Sequence, residues 1–246
     1  MIFESFNWMF LLLLPIVAFL YASVGHGGAS GYLALMAIFS FEESMMKQTA
    51  LTLNLFVAGI AFIHYFRGGY FSPRLFIWFA LGSIPAAFIG GAISLDPNVY
   101  KRILGVLLIV SVLRMFFTLK ETEQVPVQPR IAYALLLGAV IGLFSGLIGI
   151  GGGIILTPVL VLLQWARMKE AAAVSALFIW VNSAAGLAGR WQSGATFEPN
   201  SLILVVLALV GGIFGGYYGA RRFSHKTLTY FLMFVLLLAS VKLLLV

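Results

Sequence analysis

Ten apolar stretches, separated by short polar or glycine-rich punctuation, make up nearly all of this sequence, at about 6–23, 31–41, 48–66, 71–94, 99–119, 131–147, 154–165, 171–190, 202–220 and 228–246. So many apolar segments in succession leave one solvent in which the chain can fold, and that solvent is lipid. With 62% of 246 residues hydrophobic and 9% charged, there is too little polar surface to cover a globule in water, where about 25% charged residues is usual. At about 20 residues per spanning helix the chain has room for roughly eight to ten membrane segments and none for a large water-soluble catalytic domain.

The formal charge of +7 does not point to nucleic acid, because the fifteen Lys and Arg are scattered singly and in pairs between apolar stretches, as loop charges that set topology are. Cysteine is absent, which removes disulfides, thiolate metal sites and a Cys nucleophile. Residues 1–10 carry Glu4 and no Lys or Arg, unlike the basic start of a cleaved signal peptide, so the first apolar segment is expected to be retained.

Two of the segments, 31–41 and 154–165, are far too short to cross a hydrocarbon core of about 30 Å, and each follows a glycine-rich break. The breaks occupy matching places on either side of ETEQVPVQPR (121–130), the one markedly polar linker, which falls near the midpoint. VGHGG (24–28) matches IGIGG (148–152), and TAL (49–51) matches SAL (175–177). Gly68, Phe71 and Pro73 fall on Gly194, Phe197 and Pro199, and Gly82, Ile84 and Gly90 on Gly211, Ile213 and Gly219. An ordered series of this kind argues for an internal duplication, with a first membrane repeat over 1–120 and a second over 131–246.

Loop charges choose between two arrangements of these repeats. If each short segment crosses the membrane once, the repeats are parallel and the basic residues divide almost evenly. If each short segment enters and leaves on one side, the repeats are inverted. One face then holds Arg67, Arg74, Arg114, Lys120, Arg130, Arg167, Lys169, Arg221, Arg222 and Lys226, and the other only Lys47, Lys101, Arg102, Arg190 and Lys242. Ten against five is the asymmetry that the positive-inside rule expects. The expected fold is an all-α polytopic integral membrane protein of two pseudo-symmetric inverted repeats. Each has a Gly-broken re-entrant helix pair and three transmembrane helices, with the termini and the Lys101 loop outside and the linker in the cytoplasm.

Glycine-interrupted segments at corresponding places point to a transporter's substrate site, because unwound backbone within a membrane must line a cavity. The breaks GHGGASG (25–31) and GIGGGIILTP (149–158) each precede a short helix. The first amides of such a helix have no intrahelical partner, its N-terminus carries about half a positive charge, and glycine lets an anion approach the backbone. The competing explanation, close helix packing by small residues, suits Gly82, Gly90, Gly211, Gly215 and Gly219 better.

The duplicated GxGG break after the first and fifth long segments, followed by a polar-dotted helix and a glycine-rich one, resembles the sulfite exporter TauE/SafE family of membrane transporters. The resemblance spans essentially the whole chain and is strongest at GLFSGLIGIGGGIILTPVL (142–160), where the family's GxGGG and following proline are intact. The first half departs from it, with His26 inside the motif, Ala29 for the third glycine and no proline near Leu33. The resemblance implies movement of small anions, chiefly sulfur oxyanions and organosulfonates, without chemistry on them.

The residues expected to bind the anion are His26, Gly27, Gly28 and Ser30 at the first break and Gly151, Gly152, Gly153 and Thr157 at the second. The helices that follow add Gln48, Thr52 and Asn54, with Thr49 beside them, and Ser175, Asn182, Ser183 and Trp180. Ser175 and Asn182 are seven residues apart and share a helix face, flanked by Trp180 and Ser183. Amide, hydroxyl and backbone donors bind a sulfonate without a salt bridge that would slow its release. A Ser or Thr in a membrane helix also bonds its own preceding turn, so Asn54 and Asn182 carry more of the argument. His26 is either a protonatable anion contact or a polar break residue bonding carbonyls, whereas His64 and His225 read as interfacial.

All eight acidic residues, Glu4, Glu42, Glu43, Asp96, Glu121, Glu123, Glu170 and Glu198, fall in loops or at segment ends, so no mid-membrane carboxylate is expected to relay protons. Two other classes compete. Gly28-Ala29-Ser30-Gly31 spells the GxSG of rhomboid intramembrane serine proteases, but His64 and His225 lie at helix ends, where a catalytic partner is not expected. A non-transporting accessory membrane subunit is the third class. The favoured expectation is a secondary transporter of small anions, without cofactor or metal, in a bacterial inner membrane. Its partners are the small anionic substrate and the lipid bilayer, not nucleic acid, with a homo-oligomer open.

Overall fold

The computed structural model describes residues 7–23, 28–117, 126, 127, 129–194, 201–222 and 225–245. His26, Gly27, most of the polar linker, and Glu4, Glu121, Glu123 and Glu198 lie outside the described residues. The described residues form ten α-helices and no strand. These are α1 (Trp8–Ser23), α2 (Ala29–Ile38), α3 (Glu43–Arg67), α4 (Pro73–Ala92), α5 (Pro97–Phe117), α6 (Ile131–Ile148), α7 (Gly153–Leu162), α8 (Met168–Gln192), α9 (Ser201–Arg222) and α10 (His225–Leu245). Among them, α3, α4, α6 and Lys169–Gln192 of α8 are long and apolar enough to cross a membrane. Each expected apolar segment is a helix. Lengths recur in order, with 10 residues in both α2 and α7, 25 in both α3 and α8, and 21 in both α5 and α10.

Both short helices begin and end in the same way. Their N-caps, Gly28 and Gly152, have left-handed backbones at φ 89° and 77°, a conformation that side chains rarely adopt. Each is about 15 Å long, half a hydrocarbon core. After α2 the amide of Phe41 bonds to Met36 O and that of Ser40 to Ala37 O; after α7 Trp165 bonds to Leu160 O and Gln164 to Val161 O. This is the Schellman pattern, which needs a left-handed residue just past the helix, and here Ser40 (φ 59°) and Gln164 (φ 58°) fill it instead of glycine. Exposed Gln164 contributes its backbone carbonyl, which accepts from Val127 N at 2.7 Å. Gln164→Gly keeps that carbonyl and relieves the left-handed strain, so it is expected to raise stability by about 0.5–1 kcal/mol, read as a higher Tm in detergent.

Helices from opposite halves of the chain pack on each other. α4 lies along α6 with backbone nearly touching backbone. A Cβ at Gly82 or Gly90 would collide with Leu135 O or Leu143 O, and one at Gly138, Gly142 or Gly146 with the carbonyls of Phe79, Ser83 or Ala87. Gly91 and Gly189 close α4 on α8 in the same way, and Gly211 of α9 sits on Pro15 O of α1. The packing role expected for Gly82, Gly90 and Gly211 is what the structure has, and small residues are the means by which membrane helices gain close contact. One apolar cluster joins Phe10, Tyr32, Met36, Leu104, Leu204 and Leu236; a second joins Phe79, Ile141, Leu156 and Phe178. Between them α3 lies against α8.

One reading of the charges is corrected. Lys47, counted as a loop charge, lies inside α3 and is 5% exposed. Its ammonium group donates to Gly90 O, Gly91 O and Ile93 O at 3.2, 3.1 and 3.1 Å, so the C-terminal carbonyls of α4 replace water. With that charge satisfied, α3 starts at Glu43 instead of near Gln48.

Candidate functional site

The second break meets the α3/α8 seam at Asn54. Gly149, Gly151 and Gly152 all have positive φ (91°, 72° and 77°), so the chain between α6 and α7 takes a path that L side chains rarely follow. A Cβ on Gly151 would lie 2.6 Å from Asn54 Nδ2, 2.8 Å from Ile179 Cγ2 and 3.3 Å from Ser183 Oγ. Asn54 Nδ2 donates to Ser183 Oγ at 3.2 Å. One side chain from each half of the chain and the unwound backbone therefore converge on one spot, where Asn54 and Ser183 are both fully buried.

The remaining candidates divide into those with local partners and those without. Thr52 bonds back to Gln48 O at 2.9 Å, and Gln48 is itself buried. Thr157 bonds back to Gly153 O at 3.0 Å and shares a bond of 2.8 Å with the Ser175 hydroxyl. Ser30 Oγ is 2.8 Å from Tyr21 OH, so the serine of the GxSG motif is engaged by a tyrosine. Asn182 Nδ2 donates to Phe178 O at 2.8 Å, four residues back. Gly153 packs on Ile179, and Trp180 faces outward, 42% exposed, with its indole against Gly59.

Among the described residues seven buried side-chain polar atoms have no hydrogen-bond partner, and five of them are on neutral side chains: Tyr32 OH, Thr49 Oγ1, Asn54 Oδ1, Ser145 Oγ and Asn182 Oδ1. Three of them belong to residues beside the breaks. A Cβ on Gly28 would lie 2.6 Å from Tyr32 OH, one on Gly152 would lie 3.4 Å from Ser145 Cβ, and Asn54 adjoins Gly151. Each such atom costs about 1–3 kcal/mol when left unpaired, and in lipid no bulk water relieves it. Tyr32 and Ser145 were not among the expected residues. Ser145 lies inside GLFSGLIGIGGG, next to the glycines, but nothing in the sequence distinguishes it from a serine bonded to its own turn.

A second polar region lies at one end of the same seam. A cavity of about 240 Å³ is lined by Glu43, Lys47, Tyr100, Leu147, Arg190 and Ser193 among others. Tyr100 OH donates to Ile148 O at 2.9 Å, and Gly149 lies against the Lys47 backbone, with a would-be Cβ 3.0 Å from Lys47 O. Two residues that line the cavity, Tyr100 and Lys47, thus touch the start of the second break. Arg190 Nε and Glu43 Oε2 are buried without partners.

A profile of the sulfite exporter TauE/SafE family matches residues 10–243. The chain is 37% identical to the probable membrane transporter protein y4hK of Sinorhizobium fredii, over 93% of this chain and 94% of that one. It is 25% identical to the probable membrane transporter protein YunE of Bacillus subtilis over 96% and 97% of the two chains, and 25% identical to YjnA of the same organism over 89% and 92%. No solved structure matches it.

Proposed function

We propose, from the premise that this chain belongs to the sulfite exporter TauE/SafE family, that it moves small sulfur oxyanions or organosulfonates outward across a bacterial inner membrane and binds them where the broken helices meet the α3/α8 seam. It is an integral membrane protein and a membrane transporter. The observation that carries the substrate site is that unpaired buried polar atoms lie beside each break. A guest with several hydrogen-bonding oxygens satisfies hydroxyls and helix N-terminal amides together. Turning over the Asn54 amide lets Ser183 donate to Oδ1 and frees Nδ2 for the anion. Neutral donors hold a sulfonate without an ion pair, and a negative interior drives each outgoing charge by about 2.3 kcal/mol per 100 mV.

Purified protein in liposomes loaded with sulfite, thiosulfate, sulfoacetate, taurine or acetate tests this reading. Efflux of a sulfur oxyanion or sulfonate that quickens as the interior is made negative is the expected result, with thermal stabilisation by the same compound. If no anion of the set moves or stabilises the protein, the site is something else.

The inverted arrangement is part of the same proposal, supported by the bias of basic residues toward the linker face, ten against four once buried Lys47 is set aside. In this Cys-free chain, Lys101→Cys is expected to label from outside and Gln124→Cys from the cytoplasm. Labelling of both from one side would discard the arrangement.

A further inference from the structure

We infer that the cavity between the start of α3 and the end of α8 is a second anion site, the vestibule on the Lys101 face through which a small sulfonate or carboxylate leaves the break. Arg190 is its hydrogen-bonding ligand, Lys47 its fixed charge and Glu43 its internal competitor. This rests on the reading of the chain as an anion transporter.

Each of the three charges has an ordinary explanation, which the geometry limits. Glu43 in the first turn of α3 and Arg190 in the last turn of α8 are charges that helix dipoles favour. A helix-end charge of that kind is normally solvated, however, whereas Arg190 Nε is buried without a hydrogen-bond partner and lines an open volume of about 240 Å³. A guanidinium presents a planar fork that matches the oxygens of a sulfonate or carboxylate. Lys47 cannot act in that way, because an ammonium has three donors and three carbonyls of α4 take them. It contributes positive potential that does not depend on a ligand. Glu43 supplies the opposing charge, so that an arriving anion is held loosely enough to move on.

The cavity also leads to the break. Lys47 forms part of its wall and touches Gly149, the residue that ends α6. Asn54 lies two turns further along α3, about 10 Å at the usual helical rise. An outgoing anion therefore leaves the neutral donors, passes the Lys47 charge and reaches Arg190, an order in which rising positive potential draws it toward the outer mouth.

The test uses full-length protein in liposomes, with sulfoacetate as the probe and orientation read from labelled Lys101→Cys. The half-saturating sulfoacetate concentration is measured from each face. Arg190→Gln is expected to raise it about 10-fold or more from the Lys101 face and less than about twofold from the other, the loss of a charged hydrogen bond at the vestibule. Glu43→Gln is expected to lower it several-fold from that face, a gain that a folding defect cannot mimic. If Arg190→Gln does not insert, Arg190→Lys, which keeps the charge and loses the fork, is expected to give an intermediate rise. No change from either face with Arg190→Gln, an equal rise from both, or a higher value with Glu43→Gln would overturn the vestibule site. If the unaltered protein moves none of the anions tried, the transporter reading fails first and this inference with it.

Discussion

Asn54→Leu is expected to lower efflux of the transported anion by about 10- to 100-fold at subsaturating concentration while leaving thermal stability unchanged or higher. The transport loss is that of hydrogen bonds to a charged ligand, about 1.5–3 kcal/mol. Stability moves the other way because the native amide is fully buried with Oδ1 unpaired, and an apolar side chain of similar size needs no partner. Ser183, deprived of its donor, can bond to the carbonyl of its own preceding turn. A residue whose role is to hold α3 on α8 behaves oppositely, so a fall in Tm with transport preserved would make the Asn54–Ser183 bond structural. Flux in liposomes and Tm in detergent, measured on one preparation, read the two effects.

Gly146→Ala is expected to be among the most damaging single added methyls, lowering stability by about 3 kcal/mol or more. The added Cβ would collide with Ala87 O and lie 2.7 Å from Gly91 N and 2.8 Å from Ala87 C. These are backbone atoms of α4, so no side chain can rotate away and the helices must separate. Gly212→Ala is the control, since its Cβ would meet only Val57 methyls at 3.6 and 3.7 Å, an ordinary contact. There the change is expected to be neutral or to stabilise by up to about 1 kcal/mol through helix propensity. Comparable Tm values for the two variants would show that α4 and α6 can part without penalty.

The sequence was most legible where local chemistry decides the outcome. The ten helices follow from apolar runs and their punctuation, and Gly28 and Gly152 at the heads of the short helices follow from the need for a left-handed residue there. Asn54 stood out because an amide inside a membrane needs a partner, and it proved to adjoin both Ser183 and Gly151. What could not be read depends on where distant helices end. Lys47 is buried only because α4 terminates beside it and offers three carbonyls, a coincidence of two elements that no local pattern encodes. Trp180 and Ser175 illustrate the same limit. Both lie on α8 near Asn182, yet the packing of α8 turns Trp180 half outward and engages Ser175 with Thr157.

The mutual packing of the two halves of the chain sets the order in which the protein can be made. When α4 leaves the ribosome, the helix whose backbone fits its glycine face, α6, has not been synthesised, and α1 must wait longer still for Gly211 of α9. Until then both helices reside in the membrane with those faces against lipid, which hydrocarbon tolerates but which forms no bond. Insertion and assembly are therefore separated in time, and the interval between them is when quality control of membrane proteins has most to recognise.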